Sequence, residues 1–358
     1  RLDALRDHPE LLGALLGLSQ DEVELGERSP ELLSLPEPFP TLLAEARALE
    51  AVPDLASSPG LRGPRGRRVK GRKRDQIEAF VSALVAWWPP ELETSVLDWC
   101  SGHGHLGRHL AERTGREVTC LERDPDLVLG ALALGGVKAV EADAMEPSGV
   151  AELESGRAVV ALHACGDLHA QLILHGQHLG AIALAPCCYI RSTAGWNRRF
   201  SQAAPDLGLE RKHIFLSTVG EHSLRERRQV LRRRQQAWRI ALDLLLREHT
   251  GEDRHHPVPS CAKSTLTQLS FAQWAQLQAR RAGYELPPFE AQAAERAGWQ
   301  RSRELRALGL VRAIYQRSLE LYLVLDRAVA LEEQGRTVQL GRFCQASVTP
   351  RNLLVLAR

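Results

Sequence analysis

From Val96 to Cys188 the chain alternates short apolar runs with helical segments, and this alternation constrains the fold more than any other feature. "SVLDWC", "EVTCLERD", "KAVEADA", "AVVALHACGD" and "GAIALAPCC" read as strands, and "GHLGRHLAERTG", "DLVLGALALGG" and "LHAQLILHG" as helices among them. Apolar strands joined by helices belong in a parallel sheet covered on both faces. The last segment, "TVQLGRFCQASVTPRNLLVLAR", reads as two more strands joined by a turn at Thr349-Pro350. The expected architecture is therefore α/β, a doubly wound sheet interrupted by a helical insertion and closed by a C-terminal strand pair.

The rest of the chain is arranged around that sheet. Residues 1–56 carry helical periodicity broken by "LPEPFP" and predict a small helical N-terminal region. Residues 57–74, "SSPGLRGPRGRRVKGRKR", hold eight basic residues and no acid, and read as a basic linker. "DQIEAFVSALVAWW" predicts a helix capped by Asp75, with Glu78 completing a capping box. Residues 75–190 and 336–358 form the sheet domain in this reading. Residues 191–335 form a mostly helical insertion and a candidate substrate-binding region. Its clearest helices are "RERRQVLRRRQQAWRIALDLLLREH" and "RELRALGLVRAIYQRSLELYLVLDRAVALEEQG", with "SCAKSTLTQLS" as a loop between them.

The 358 residues are 44% hydrophobic and 25% charged, the make-up of a soluble globular protein, and a net charge of +2 says little about partners. Seven cysteines, two of them adjacent, do not make a secreted disulfide framework. The first residues read as an amphipathic helix and not a signal peptide. No apolar run reaches the roughly eighteen residues of a membrane span. A cytoplasmic protein with no membrane partner is expected; its oligomeric state is not legible.

Gly102, Gly104 and Gly107 stand in G-x-G-x-x-G spacing, with Glu122 twenty residues after Gly102. After a strand and before a helix, that spacing marks a dinucleotide or adenosine site. Asp98 sits four residues before the first glycine. A carboxylate there is poor company for a pyrophosphate and suits a cationic cofactor such as S-adenosylmethionine. Glu122 could accept from both ribose hydroxyls in either case, and Asp143-Ala144 would meet an adenine amino group. A nicotinamide-dependent oxidoreductase is the weaker alternative. Ordinary caps and turns would explain any one of these acids singly.

"VLDWCSGHGHLGRHLA", "LERD", "ALHACGDLHAQLI" and "APCCY" resemble the class I S-adenosylmethionine-dependent methyltransferases. More narrowly, they are similar to the methyltransferase-domain family with an "HxCGDL" segment and a Cys-Cys motif (the methyltransferase-like 25 type). A more distant likeness is to the tRNA 2′-O-methyltransferase of the acceptor stem. The resemblance covers about 70–190 well and the C-terminal strands loosely. It implies a Rossmann-like seven-stranded sheet whose last strand is antiparallel. The cofactor-binding candidates are Asp98, Cys100, Gly102, His103, Gly104, Glu122, Arg123, Asp143, Ala144 and His163. Lys73 matches a basic residue preceding the helix that borders the cofactor. His103 and His105 flank Gly104 where many relatives carry smaller or basic residues.

His163, Cys165, Asp167 and His169 follow the fourth strand, and Cys187, Cys188 and Tyr189 the fifth. Ligands of doubly wound sheets bind outside the strands' carboxyl ends. Three readings stay open beside that of buried small residues. These side chains shape the acceptor pocket; or a Cys187 or Cys188 thiolate attacks a pyrimidine ring; or they bind zinc, although H-x-C with C-C is unlike the usual C-x-x-C pairs, so no metal is expected. Asp167 is a candidate general base or simply a helix cap. An "NPPY"-type segment for amino-group methylation is lacking.

Arg62, Arg65, Arg67, Arg68, Lys70, Arg72, Lys73 and Arg74 crowd one segment, and Arg225, Arg227, Arg228, Arg232, Arg233 and Arg234 another. Such runs suit phosphate backbones or are solvated faces. Candidate substrate contacts are Lys73, Arg74, His163, Cys165, Cys187, Tyr189, Arg228 and Arg232. The sequence thus predicts a methyltransferase acting on RNA, tRNA or rRNA. The alternatives are a non-catalytic RNA-binding protein on the same scaffold, and an enzyme with a protein or small-molecule acceptor.

Overall fold

The computed structural model describes residues 3–55, 71–89, 94–192, 199–218 and 226–358. They divide into two compact units. One comprises Arg1–Arg47 and Leu224–Tyr315, the other Ala48–Ser223 and Gln316–Arg358.

The second unit is built on one seven-stranded sheet. Its strands are β1 (Val96–Trp99), β2 (Val118–Glu122), β3 (Lys138–Glu141), β4 (Ala158–Cys165), β5 (Ala181–Cys187), β6 (Val338–Arg342) and β7 (Leu353–Ala357). Their order is β3-β2-β1-β4-β5-β7-β6. β1 to β5 pair in parallel, and β7 runs antiparallel to both β5 and β6. This is the expected α/β, Rossmann-like sheet with its last strand reversed. The order turns back between β1 and β4, so their carboxyl ends open a crevice where such sheets bind ligands.

The apolar runs explain the layering. Every residue of β1, β5 and β7 is buried. One side chain set, including Leu97, Val159, Ile182 and Val355, packs with Leu172, Leu321, Val324 and Leu331. The opposite set, including Val96, Val160, Ala183 and Leu354, packs with Phe80, Leu84, Leu106 and Leu110. Both faces are therefore covered.

Several boundaries differ from the sequence reading. The helix before β1 spans Arg72–Trp87, so it takes in the last three residues of the basic segment. Gly71, at φ 62°, is its N-cap, and Asp75 lies in its first turn instead of capping it. Arg and Lys extend a helix readily, and glycine alone reaches that backbone angle without strain. Residues 56–70, with Arg62, Arg65, Arg67, Arg68 and Lys70, lie outside the described residues.

The long C-terminal helical pattern breaks at Tyr315 into Ala291–Ile314 and Gln316–Glu333. The latter belongs to the sheet unit, because Leu321, Val324, Ala328 and Leu331 cover its face. The N-terminal helices Pro9–Gly17 and Gln20–Arg28 share a core with Leu310 and Ile314 of Ala291–Ile314. Residues 1–47 and 224–315 thus form one body, not a separate N-terminal region and insertion. Periodicity identifies helices but does not say which of them share a core. "TLTQ" in the expected loop forms a short helix, and Phe271–Arg281, unread in the sequence, packs Trp274 against Trp238.

Candidate cofactor and acceptor site

The glycine loop joins β1 to the helix His105–Thr114. Cys100, Gly102 and Gly104 have φ of 59°, 59° and 66°. A Cβ on Gly102 would meet nothing within 4 Å, so the loop's outer face is open to a ligand there. Gly107 serves packing instead. A Cβ there would lie 2.9 Å from Cys120 Sγ and 3.0 Å from Val118 Cγ1. The helix can approach β2 only because that side chain is absent. Arg108 braces the loop by donating to the carbonyls of Gly104, His103, Ala131 and Gly135.

The three acids do not share one role. Asp98 is 2% exposed, and its Oδ2 accepts from Gly107 N at 2.8 Å. The sequence reading placed it against a cationic ligand; instead the carboxylate is turned into the loop. It holds the start of the following helix, whose amide end attracts an anion. Burial raises its pKa from 3.8 to about 7, against the pull of the Gly107 amide and Lys73. Glu122 remains partly exposed. Its Oε2 accepts from Gly102 N at 2.9 Å and its Oε1 from Arg123 N and Asp124 N. A carboxylate offers about four acceptor directions, so Glu122 retains capacity for a ligand hydroxyl. Asp143 accepts from Met145 N at 2.9 Å and faces Arg123 Nη1 at 3.7 Å. Ala144 is buried beside it. His103 is exposed and packs against Gly130. His105 is half-buried, and desolvation lowers its pKa to about 4, so it is neutral at physiological pH.

Across the crevice, β4 carries an irregularity between Leu162 and Ala164. His163 occupies it at φ 63°. Its Nε2 lies 3.3 Å from Gln76 Oε1, and Gln76 also donates to Val348 O at 3.2 Å. Gln76 thus ties the helix before β1 to β4 and to the loop before β7; nothing in the sequence singled it out. Cys100, His163 and Cys188 are the non-glycine residues with positive φ among those described. They sit at the ends of β1, β4 and β5, and unfavourable backbone angles of this kind cluster at functional sites.

Cys165 and Cys187 end β4 and β5 with sulfurs 3.3 Å apart, and Cys188 Sγ lies within 4.8 Å of both. Cys187 is 3% exposed. Hydrogen bonding with Cys165 and Cys188, together with burial, pushes its thiol up, so it is a poor nucleophile. Hydrogen bonds from Cys165 and Cys187 draw Cys188 down. Asp167 is the first residue of the helix Asp167–His175, not its cap, and is 8% exposed. Ser192 Oγ donates to it. A buried carboxylate so engaged is badly placed as a general base.

Tyr189, expected to contact the substrate, lies in the core. It is 3% exposed, and its hydroxyl has no partner among the described residues. Its ring stacks edge-on to His169 and lies under the Arg327 guanidinium. His169 is also buried. Arg327 Nε donates to His169 Nε2 at 3.1 Å, so the ring proton sits on Nδ1 and meets Ala164 O at 3.0 Å. Desolvation and Arg327 hold its pKa down to about 3.

Lys73 and Arg74 are exposed at the start of the helix before β1. The Lys73 charge acts on Asp98, His105 and His163. Arg228 and Arg232 belong to the other unit. Arg232 is exposed there, and the Arg228 side chain, like those of Arg225 and Arg227, lies outside the described residues. Arg233 is paired with Glu24 and Glu27, and Arg234 donates to Leu266 O. Those two arginines hold their own unit together and are not a free cationic face.

The site thus combines an α/β sheet of this order with a glycine loop and acids at successive strand ends. Residues 72–193, about a third of the chain, match the family described as a methyltransferase domain. Among solved structures, a chain of the complex containing the Haloferax volcanii Trm112 methyltransferase activator is similar at 16% identity and a TM-score of 0.25. That match covers 41% of this chain and 58% of the other. Coclaurine N-methyltransferase, solved with N-methylheliamine and SAH, is similar at 15% identity and a TM-score of 0.28, over 50% and 62% of the two chains. The chain therefore spans about three fifths of either structure. No helix among the described residues is long and apolar enough to cross a membrane.

Proposed function

We propose that the protein is an S-adenosylmethionine-dependent methyltransferase with an RNA acceptor. The observation that carries the reading is the pairing of sheet order with the loop. β1, β2 and β3 end in the Gly102 loop, in Glu122 and just before Asp143, on one side of the crevice. Glu122 would hold the ribose hydroxyls, Gly102 would admit the cofactor backbone, and Asp143 would face the adenine edge. When bound, the cofactor supplies an electrophilic methyl carbon on a sulfonium. A diphosphate would instead face Glu122 and Asp143 with neutral His105 beside it, which disfavours a nicotinamide dinucleotide.

The acceptor would lie over β4 and β5, bordered by His163, Cys165 and Cys188. With Asp167 and Cys187 buried, the reaction rests on alignment of a nucleophilic acceptor, which can supply much of the barrier reduction. Exposed Lys73, whose charge acts on Asp98, His105 and His163, supports a polyanionic acceptor. Within the family resemblance, the type with HxCGDL and Cys-Cys motifs is the nearest fit.

The test is transfer of labelled methyl from S-adenosylmethionine to separated RNA, protein and small-molecule fractions. Label in RNA is expected. Label confined to protein or small molecules would replace the acceptor, and label in no fraction would leave a non-catalytic scaffold.

A further inference from the structure

The ends of β4 and β5 hold three cysteines whose chemistry the proposed methyl transfer does not call on, although two of them border the acceptor. Cys165 and Cys187 are register partners in the parallel strand pair. Consecutive residues of an extended strand point to opposite faces, so Cys188 should point away from both. Its backbone prevents this. At φ 47° it turns left-handed, and all three sulfurs lie within 4.8 Å of one another. That angle is unfavourable for cysteine, and the surroundings enforce it. Arg191 N donates to Cys188 O at 2.8 Å, and Gly166 N donates to Cys187 O at 3.1 Å. A Cβ on Gly166 would lie 2.6 Å from the Arg191 carbonyl carbon, so only glycine lets the turn sit this close.

We propose that Cys165, Cys187 and Cys188 bind one thiophilic divalent cation, zinc, through three thiolates, with the fourth position open to an outside donor. Zinc–sulfur bonds of about 2.3 Å in tetrahedral array separate sulfurs by about 3.8 Å. The sulfurs here span 3.3 Å to at most 4.8 Å. Cys187 is buried while Cys165 and Cys188 are half-buried, which leaves one side accessible. Each ligand that starts as a thiol gives its proton to solvent as the metal–sulfur bond forms. The loaded site carries one net negative charge, and the Arg191 and Arg351 charges that act on Cys188 would offset it. The local spacing does not display this cluster, because strand pairing closes the 22-residue gap between Cys165 and Cys187. The site would load whether or not the protein transfers methyl groups.

The full chain, reduced and stripped with a chelator, should be titrated with Co2+ and then Zn2+. One equivalent of cobalt is expected, with thiolate charge-transfer and tetrahedral d–d absorption that zinc abolishes. C188S and C165S should each weaken binding at least tenfold, and C261S and C344S should not change it. No thiolate band in wild-type protein whose seven thiols titrate as free would overturn the proposal. So would a band that persists unchanged in C188S.

Discussion

Asp98 has almost no contact with water, and the Gly107 amide donates to its carboxylate at 2.8 Å. Its folded pKa of about 7 lies above the ordinary 3.8, so the native state binds a proton there more tightly than the unfolded chain. The stability this contributes is complete below about pH 4 and is lost as pH rises through 7. Asp98→Asn keeps an acceptor for Gly107 and removes the buried charge. The variant should gain on wild type between pH 4 and 8, by on the order of 1–4 kcal/mol in urea unfolding. Parallel stability curves would show that the carboxylate is better solvated than its position implies. His169 works in the opposite sense. Its pKa is depressed, so its contribution is present above the ordinary histidine range and is lost as pH falls towards 3. His169→Ala leaves the Arg327 guanidinium without one acceptor in a buried site and should cost about 2–4 kcal/mol near neutrality.

At the scale of elements, the loop depends on how closely the helix His105–Thr114 lies on β2. Gly107→Ala would set a methyl against Cys120 and Val118 and 3.1 Å from Asp98 Oδ2. Overpacking of this kind costs about 1–3 kcal/mol. Because the same shift moves the Gly102 loop, cofactor affinity should fall as well, by at least tenfold in calorimetry. Unchanged affinity in a destabilised variant would separate the packing from the site. The strands and the loop were legible in sequence because continuous apolar runs and glycine spacing are local signals. The direction of the Asp98 side chain was not, since it depends on a helix amide nine residues away. The burial of Tyr189 and the bridge made by Gln76 were equally hidden. Each is set by elements remote in sequence: Arg327 packs on Tyr189, and Gln76 reaches β4 and the loop before β7. The meeting of Cys165 with Cys187 is likewise a product of strand register.

For the whole molecule, the basic runs invite a polyanion reading that net charge alone does not. Arg233 joins Glu24 and Glu27 within its own unit, so Arg233→Met should destabilise that unit before it weakens nucleic-acid binding. RNA affinity carried by the remaining cations should fall at least tenfold between 50 and 200 mM salt in filter binding. A salt-insensitive affinity would contradict a phosphate-backbone footprint. The division into two units was hidden in the sequence because helical periodicity gives no partner, whereas Leu310 and Ile314 find theirs in the first 47 residues. In the proposed function, the crevice beside β1 holds an adenosyl cofactor through Glu122 and the glycine loop. Calorimetric titration of the full chain with S-adenosylmethionine tests it most directly. One site is expected, with at least tenfold loss in Glu122→Ala and no competition from NADH; absence of binding in wild type, or displacement by NADH, would contradict it.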